Sequence, residues 1–306
     1  MMGESFTVRV WFVLILLATF TSVKAETINS MAASNDWDEV GSWSEGSVPT
    51  GVETVEIQAG VTALGDVTVA ADYTGNLILR SGSELRIFDY GGEDYRDFLP
   101  SDMTSTIFMY DSSILYVRHG DNTSMTHPIV VEGAVTMQKG TYFNAGDWRL
   151  DSVISGTGSV TFQFTLTSHT NREIFLTPAS PSTYTGGTTI NNPTGIDQRV
   201  RVFSDGAFGT GDVTIKTGSI LLFSGTTDVI NDSANLYIEG TGVLRMGTTT
   251  ETVNYFFFDG VLQPRGTYGS SSSAATFPND TIFPDGGTGI LSVVGYPPRG
   301  VLFKIE

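Results

Sequence analysis

The chain has 306 residues, 33 acidic and 16 basic, with 40 Thr, 29 Ser, 35 Gly, no Cys and a formal net charge of −17. Charged residues are only 16%, against roughly 25% in ordinary globular domains, which counts against helical bundles and coiled coils. A hydrophobic fraction of 40% with 11% aromatics counts against disorder, and the acidity removes the basic footprint that nucleic acid demands.

Arg9 precedes an apolar run, Val10 to Phe20, and the small residues of Val23-Lys24-Ala25 follow it. This order predicts a secretory signal peptide over residues 1–25, cleaved after Ala25. Eleven apolar residues at 1.5 Å each span about 16 Å, half of a bilayer core, so a membrane anchor is disfavoured. Export to the cell surface or medium is therefore expected, with no transmembrane span in the mature chain. The lack of Cys removes disulfides and the usual structural zinc sites. Residues 26–51, with Trp37 and Trp43, read as an N-terminal cap.

From residue 52 to about 254 short β-forming runs alternate with Gly, Asp, Asn or Ser corners. Among them are Val55-Glu56-Ile57, Leu77-Ile78-Leu79, Ile114-Leu115-Tyr116-Val117, Val135-Thr136-Met137, Val160-Thr161-Phe162 and Val213-Thr214-Ile215. Alternation of the Val-Thr-Ile kind places apolar side chains on one face and hydroxyls on the other. The stiff β-branched residues favour extended backbone. The expected class is all-β. Strands separated by a single Gly corner predict a parallel β-solenoid (β-helix), with a multi-sheet β-sandwich as the alternative. Hairpin signals are sparse: Asp205-Gly206, Asp259-Gly260 and Asp285-Gly286. At roughly 20 residues per coil, the mature chain would make about a dozen coils.

One segment carries a recognisable wording. Tyr184-Thr185-Gly186-Gly187-Thr188-Thr189-Ile190-Asn191, continued by Ala207-Phe208-Gly209-Thr210-Gly211-Asp212-Val213-Thr214-Ile215, resembles the autotransporter-associated β-strand repeat, a passenger repeat. Phe208 stands where that repeat usually has Leu, and Pro193 to Ser204 form a long insert in place of a short strand. Trp37, Trp43-Ser44, Gly46 and Val48-Pro49 resemble the opening of such secreted chains. Phe258 to Gly269, followed by Gly287 to Val293, resembles their closing unit, placed here at 255–294 with a short tail at 295–306. The resemblance implies a right-handed parallel β-solenoid, an extracellular location and no catalytic residues. The membrane barrel that ends an autotransporter has no counterpart in the tail, so a free secreted protein without that barrel or a truncated passenger is expected.

Chemical motifs are few. His119, His127 and His169 fit no H-E-x-x-H spacing, and neither a G-x-S-x-G elbow nor a P-loop occurs. The densest acidic run, with Asp89, Glu93, Asp94 and Asp97, offers hard oxygens for a weak Ca²⁺ loop; a solvated loop is the plainer reading. No other cofactor is expected. The expected function is a non-catalytic, adhesin-like or structural solenoid of the cell surface or extracellular matrix. Its expected partners are surface polysaccharide or other cell-envelope components. The alternative is a carbohydrate-active parallel β-helix, of the polysaccharide lyase or glycosidase kind, which would align carboxylates from successive coils in one groove.

Overall fold

The computed structural model describes residues 28–296 except 33–34, 38, 50–53, 66–74, 88–104, 118–123, 141–145, 166–171, 196, 226–227 and 285. The signal peptide and the Asp89, Glu93, Asp94 and Asp97 loop therefore lie outside the described residues, as do His119, His169 and the tail from 297. Within them the chain is all-β, apart from one 3-10 turn at Val40–Ser42.

Three long sheets run along a stack of coils. The first has six strands, from Ile28–Met31 to Ile154–Gly156, and the third has six, from Ser124–Met125 to Val243–Arg245. The second is the longest. It stacks ten parallel strands from Asn35–Asp36 to Phe256–Phe258 and ends on an antiparallel one, Val261–Leu262. All other pairings in these three sheets are parallel, so the fold is a β-solenoid and the sandwich alternative, built from antiparallel sheets, is set aside. The coils are longer than expected. Leu236 pairs with Phe256, 20 residues on, but Glu84 pairs with Ile114, 30 residues on. Among the described residues the second sheet accordingly has ten parallel rungs, where about a dozen coils are expected of the mature chain.

Register follows from which face is buried. The inward row Leu85, Leu115, Met137, Phe162, Ile190, Ile215 and Ile238 is one residue per coil, and every member is fully buried. Trp148, Ile174, Val200, Leu221 and Leu244 form the matching row on the third sheet. Between the first and second sheets the chain turns on glycine. Gly158 donates its N–H to Val131 O at 2.9 Å, and Ser159 donates to Gly133 O at 2.9 Å. Gly186 then stacks on Gly158, donating to its carbonyl at 3.1 Å. A Cβ on Gly158 would lie 2.1 Å from Gly133 O, and one on Gly186 would lie 2.5 Å from the Gly158 carbonyl carbon. Backbone thus packs directly on backbone at this corner.

The wording of the 184–215 segment has a local physical basis. Tyr184 is fully buried, and its hydroxyl lies 2.5 Å from the Thr188 hydroxyl. Phe208 is buried 6.3 Å from the Phe162 ring. The insert carries strand Gln198–Val202 of the third sheet, so it supplies a rung rather than interrupting one.

At the N-terminal end Trp37 and Trp43 are buried edge-to-face at 4.8 Å, and Trp43 Nε1 donates to Trp37 O at 2.8 Å. Ile28–Met31 covers strand Thr54–Ile57, and Asn35–Asp36 covers Thr62–Gly65. Deleting residues 26–49 would bare both edges. The expected result is concentration-dependent association by size-exclusion chromatography; a deletion variant that stays monomeric and folded would dismiss the cap. At the other end Asp259 and Gly260, both at positive φ (47° and 73°), turn Phe256–Phe258 back on Val261–Leu262, one of the three expected hairpin sites. Thr250–Val253 then pairs with Ile290–Val293, which Gly266–Gly269 flanks antiparallel.

Candidate functional site

The outward face of the second sheet carries one uninterrupted row. Thr136, Thr161, Thr189, Thr214, Tyr237 and Phe257 are cross-strand partners in successive coils. A second row, Gln138, Gln163 and Asn191, runs beside it. Both follow from the period-two alternation that buries Met137, Phe162 and Ile190. All these outward residues are half-buried and none is charged. Further along the same face the first row continues through Ile114 to Glu84 and the second through Tyr116 to Arg86, which pair at 2.9 Å. Between that pair and the chain's later coils the strip is a neutral bank of hydroxyls and amides on a strongly acidic chain.

The row ends on an aromatic platform. The Tyr237 and Phe257 rings stack at 4.7 Å and 9°, and Tyr255 meets Phe257 edge-on at 6.4 Å. The Tyr255 hydroxyl donates to Tyr296 O at 2.6 Å, and Arg265 lies 4.2 Å over the Tyr296 ring. Polar groups border the platform. Asn235 donates from its backbone N–H to Asp212 Oδ1 at 2.8 Å and from Nδ2 to Oδ2 at 3.1 Å. Partial burial and the nearby Asp212 charge push the Tyr237 hydroxyl up from its ordinary range, against a hydrogen bond with Asn235. It stays a neutral donor at physiological pH.

A second cluster sits at a corner of the coils. The carboxylates of Asp228, Asp232 and Glu251 approach within 4.8 Å of one another. Asp205 Oδ1 accepts the Asp228 N–H at 3.2 Å, and Glu251 accepts Val229 N–H at 2.8 Å and Thr252 N–H at 3.1 Å. Glu251 is 1% exposed. Burial pushes it up to about 8, the neighbouring Asp228 adds to this, and the backbone N–H groups oppose it. Asp228 is itself raised by partial burial and by the charges of Asp232 and Asp205. The oxygens are of the type that hard cations take, but those of Glu251 already serve backbone donors. A buried carboxyl at a corner also differs from the open, paired carboxylates that flank a scissile glycosidic bond. No sequence window flags this cluster, because its members come from two different coils.

His127 is fully buried, which places it in the packing rather than on a ligand-facing surface. Comparison with family models, curated proteins and solved structures returns no match to this chain.

Proposed function

We propose that this protein is a secreted, non-catalytic β-solenoid of the cell surface or extracellular matrix, adhesin-like, that holds a neutral polysaccharide along the outward face of its second sheet. The observation that carries this reading is the uncharged row Thr136, Thr161, Thr189 and Thr214 running into the stacked Tyr237–Phe257 pair. A sugar ring presents C–H groups on its faces and hydroxyls at its edge. Aromatic rings bury the faces, and Thr, Gln and Asn exchange hydrogen bonds with the rim. Rungs repeat at about 4.8 Å, so a long polymer meets many weak contacts at once and gains by avidity.

Retention of neutral polysaccharides by the mature protein, screened with and without Ca²⁺, tests this. Combined Tyr237→Ala and Phe257→Ala should weaken retention at least tenfold, while the far-ultraviolet spectrum stays unchanged. Unaltered retention in that variant would sink the proposed face. Newly released reducing ends would favour the carbohydrate-active reading instead. Export rests on the reading of residues 1–25 as a leader, and on that reading the first residue of the exported protein should be Glu26 by N-terminal sequencing.

A further inference from the structure

We infer that the outward face of the third sheet is a second, separate carbohydrate site, built for an anionic polysaccharide lying along the solenoid axis. Cross-strand pairing sets Arg149, Phe175, Arg201, Leu222 and Arg245 in one row, one per coil. A cation therefore recurs at every second rung, about 10 Å apart at the usual strand spacing of roughly 4.8 Å. Apolar side chains occupy the rungs between. An extended acidic glycan with a two-fold twist places its anionic groups on one side at every second sugar, which is the matching period.

The groove beside this row has a volume of about 230 Å³ and is lined by Arg149, Phe175, Thr177 and Phe203. Phe175 and Phe203 meet edge-to-face at 5.7 Å, and Phe203 is 41% exposed. Arg201 lies 4.9 Å over the Phe203 ring. The two acids that meet the row's arginines lie deeper than those cations, while Asp197, at the head of the middle strand, is 42% exposed against 16% for Arg199. The Arg149 side chain is 48% exposed, whereas Asp151, which it meets at 3.1 Å, is 22% exposed and also accepts the Ser124 and Thr177 hydroxyls. Arg201 is 36% exposed, against 8% for Glu173, which Arg199 also holds at 3.1 Å. Each carboxylate thus fixes a guanidinium from below and leaves part of its donor fork towards solvent, the geometry that suits carboxylate or sulfate oxygens. This concentrates outward-facing cations on one face of a chain whose net charge is −17.

The test is binding of the full mature protein to polygalacturonate, to dextran sulfate and to uncharged dextran over a salt series. Expected is retention of one or both polyanions that falls steeply as salt screens the arginines. A variant with Arg149→Ala and Arg245→Ala should lose at least tenfold, and it leaves Glu173 with both of its partners. Arg149→Lys should recover only part of the loss, since Lys lacks the planar fork. Retention of polygalacturonate alone would assign the anion as carboxylate, and of dextran sulfate alone as sulfate ester. Failure of the folded wild-type protein to retain either polyanion at low salt, or equal retention by the double-alanine variant, would overturn the site. The Tyr237 and Phe257 substitutions should leave polyanion binding unchanged, so this site and the neutral-glycan face stand or fall separately.

Discussion

Replacing Gly158 with alanine is expected to destabilise the protein by about 3 kcal/mol or more, at the upper end of what overpacking produces. The added Cβ would sit 2.1 Å from Gly133 O and 2.5 Å from Gly133 N. Those are backbone atoms of the coil beneath, pinned by the Ser159 N–H to Gly133 O bond at 2.9 Å. No side chain can swing away to make room. Relief requires the two coils to separate, which stretches the rung contacts on both sides of the corner. Gly60 is the internal control, because it also turns a corner, at φ 74°, but meets nothing within 4 Å of its hypothetical Cβ. Gly60→Ala should cost only the left-handed backbone penalty, about 1–2 kcal/mol. Urea or thermal unfolding of both variants checks the contrast. A Gly158→Ala protein no less stable than Gly60→Ala would mean that the coils do not stack backbone on backbone there.

The second large effect is a loss of stability as pH rises through the neutral range. Glu251 is held near 8 in the folded protein, against an ordinary value of 4.5, chiefly by burial. A group raised in the folded state binds more protons there than in the unfolded chain. Its contribution is fully present below about 4.5, declines between 4.5 and 8, and is gone above 8. The expected loss from pH 5 to pH 9 is on the order of 3 kcal/mol, allowing for water reaching the ionised form. The charge of neighbouring Asp228 is part of that upward shift, since the ionised carboxyl meets it within 4.8 Å. Melting curves at pH 5, 7 and 9 measure the decline. Glu251→Gln should flatten it, whatever it does to absolute stability, because no ionisation remains. A wild-type slope that persists in Glu251→Gln would place the titration elsewhere.

The second sheet is legible in the sequence, and so is half of the third, where Val200-Arg201-Val202, Ile220-Leu221-Leu222-Phe223 and Val243-Leu244-Arg245 read as strands; its strands Trp148–Leu150 and Arg172–Leu176 are not. Val135-Thr136-Met137, Val160-Thr161-Phe162 and Val213-Thr214-Ile215 alternate cleanly, with a β-branched pair in each, and all became rungs. Strand Arg172–Leu176 has alternation too, but Arg172 and Glu173 open it and mask the signal. Glu173 is tolerated in its buried position only because Arg199 and Arg201 come from the next coil to pair with it. Strand Trp148–Leu150 likewise hides an inward Trp148 and Leu150 around an exposed Arg149. The Thr words of the neutral row were visible one by one. Their alignment depends on coil lengths of 20 to 30 residues, set by loops that carry no periodicity. The Asp228, Asp232 and Glu251 corner depends on the same stacking, and spacing along the chain gives no hint of it.

The unequal lengths of the three sheets bear on how the molecule would carry tension. Among the described residues the second sheet alone runs nearly from end to end, while the first and third overlap between Ser124 and Gly156. A pull along the axis loads the rung-to-rung hydrogen bonds one coil at a time, as in unzipping. Among the described residues the coils after Gly156 carry two sheets, and these should yield before the three-sheeted middle. Each coil of 20 to 30 residues would pay out about 70–100 Å of chain at full extension. A protein fixed at one end and bound to polymer along its faces would then behave as a shock absorber, lengthening in steps from its C-terminal coils while the three-sheeted coils keep their grip.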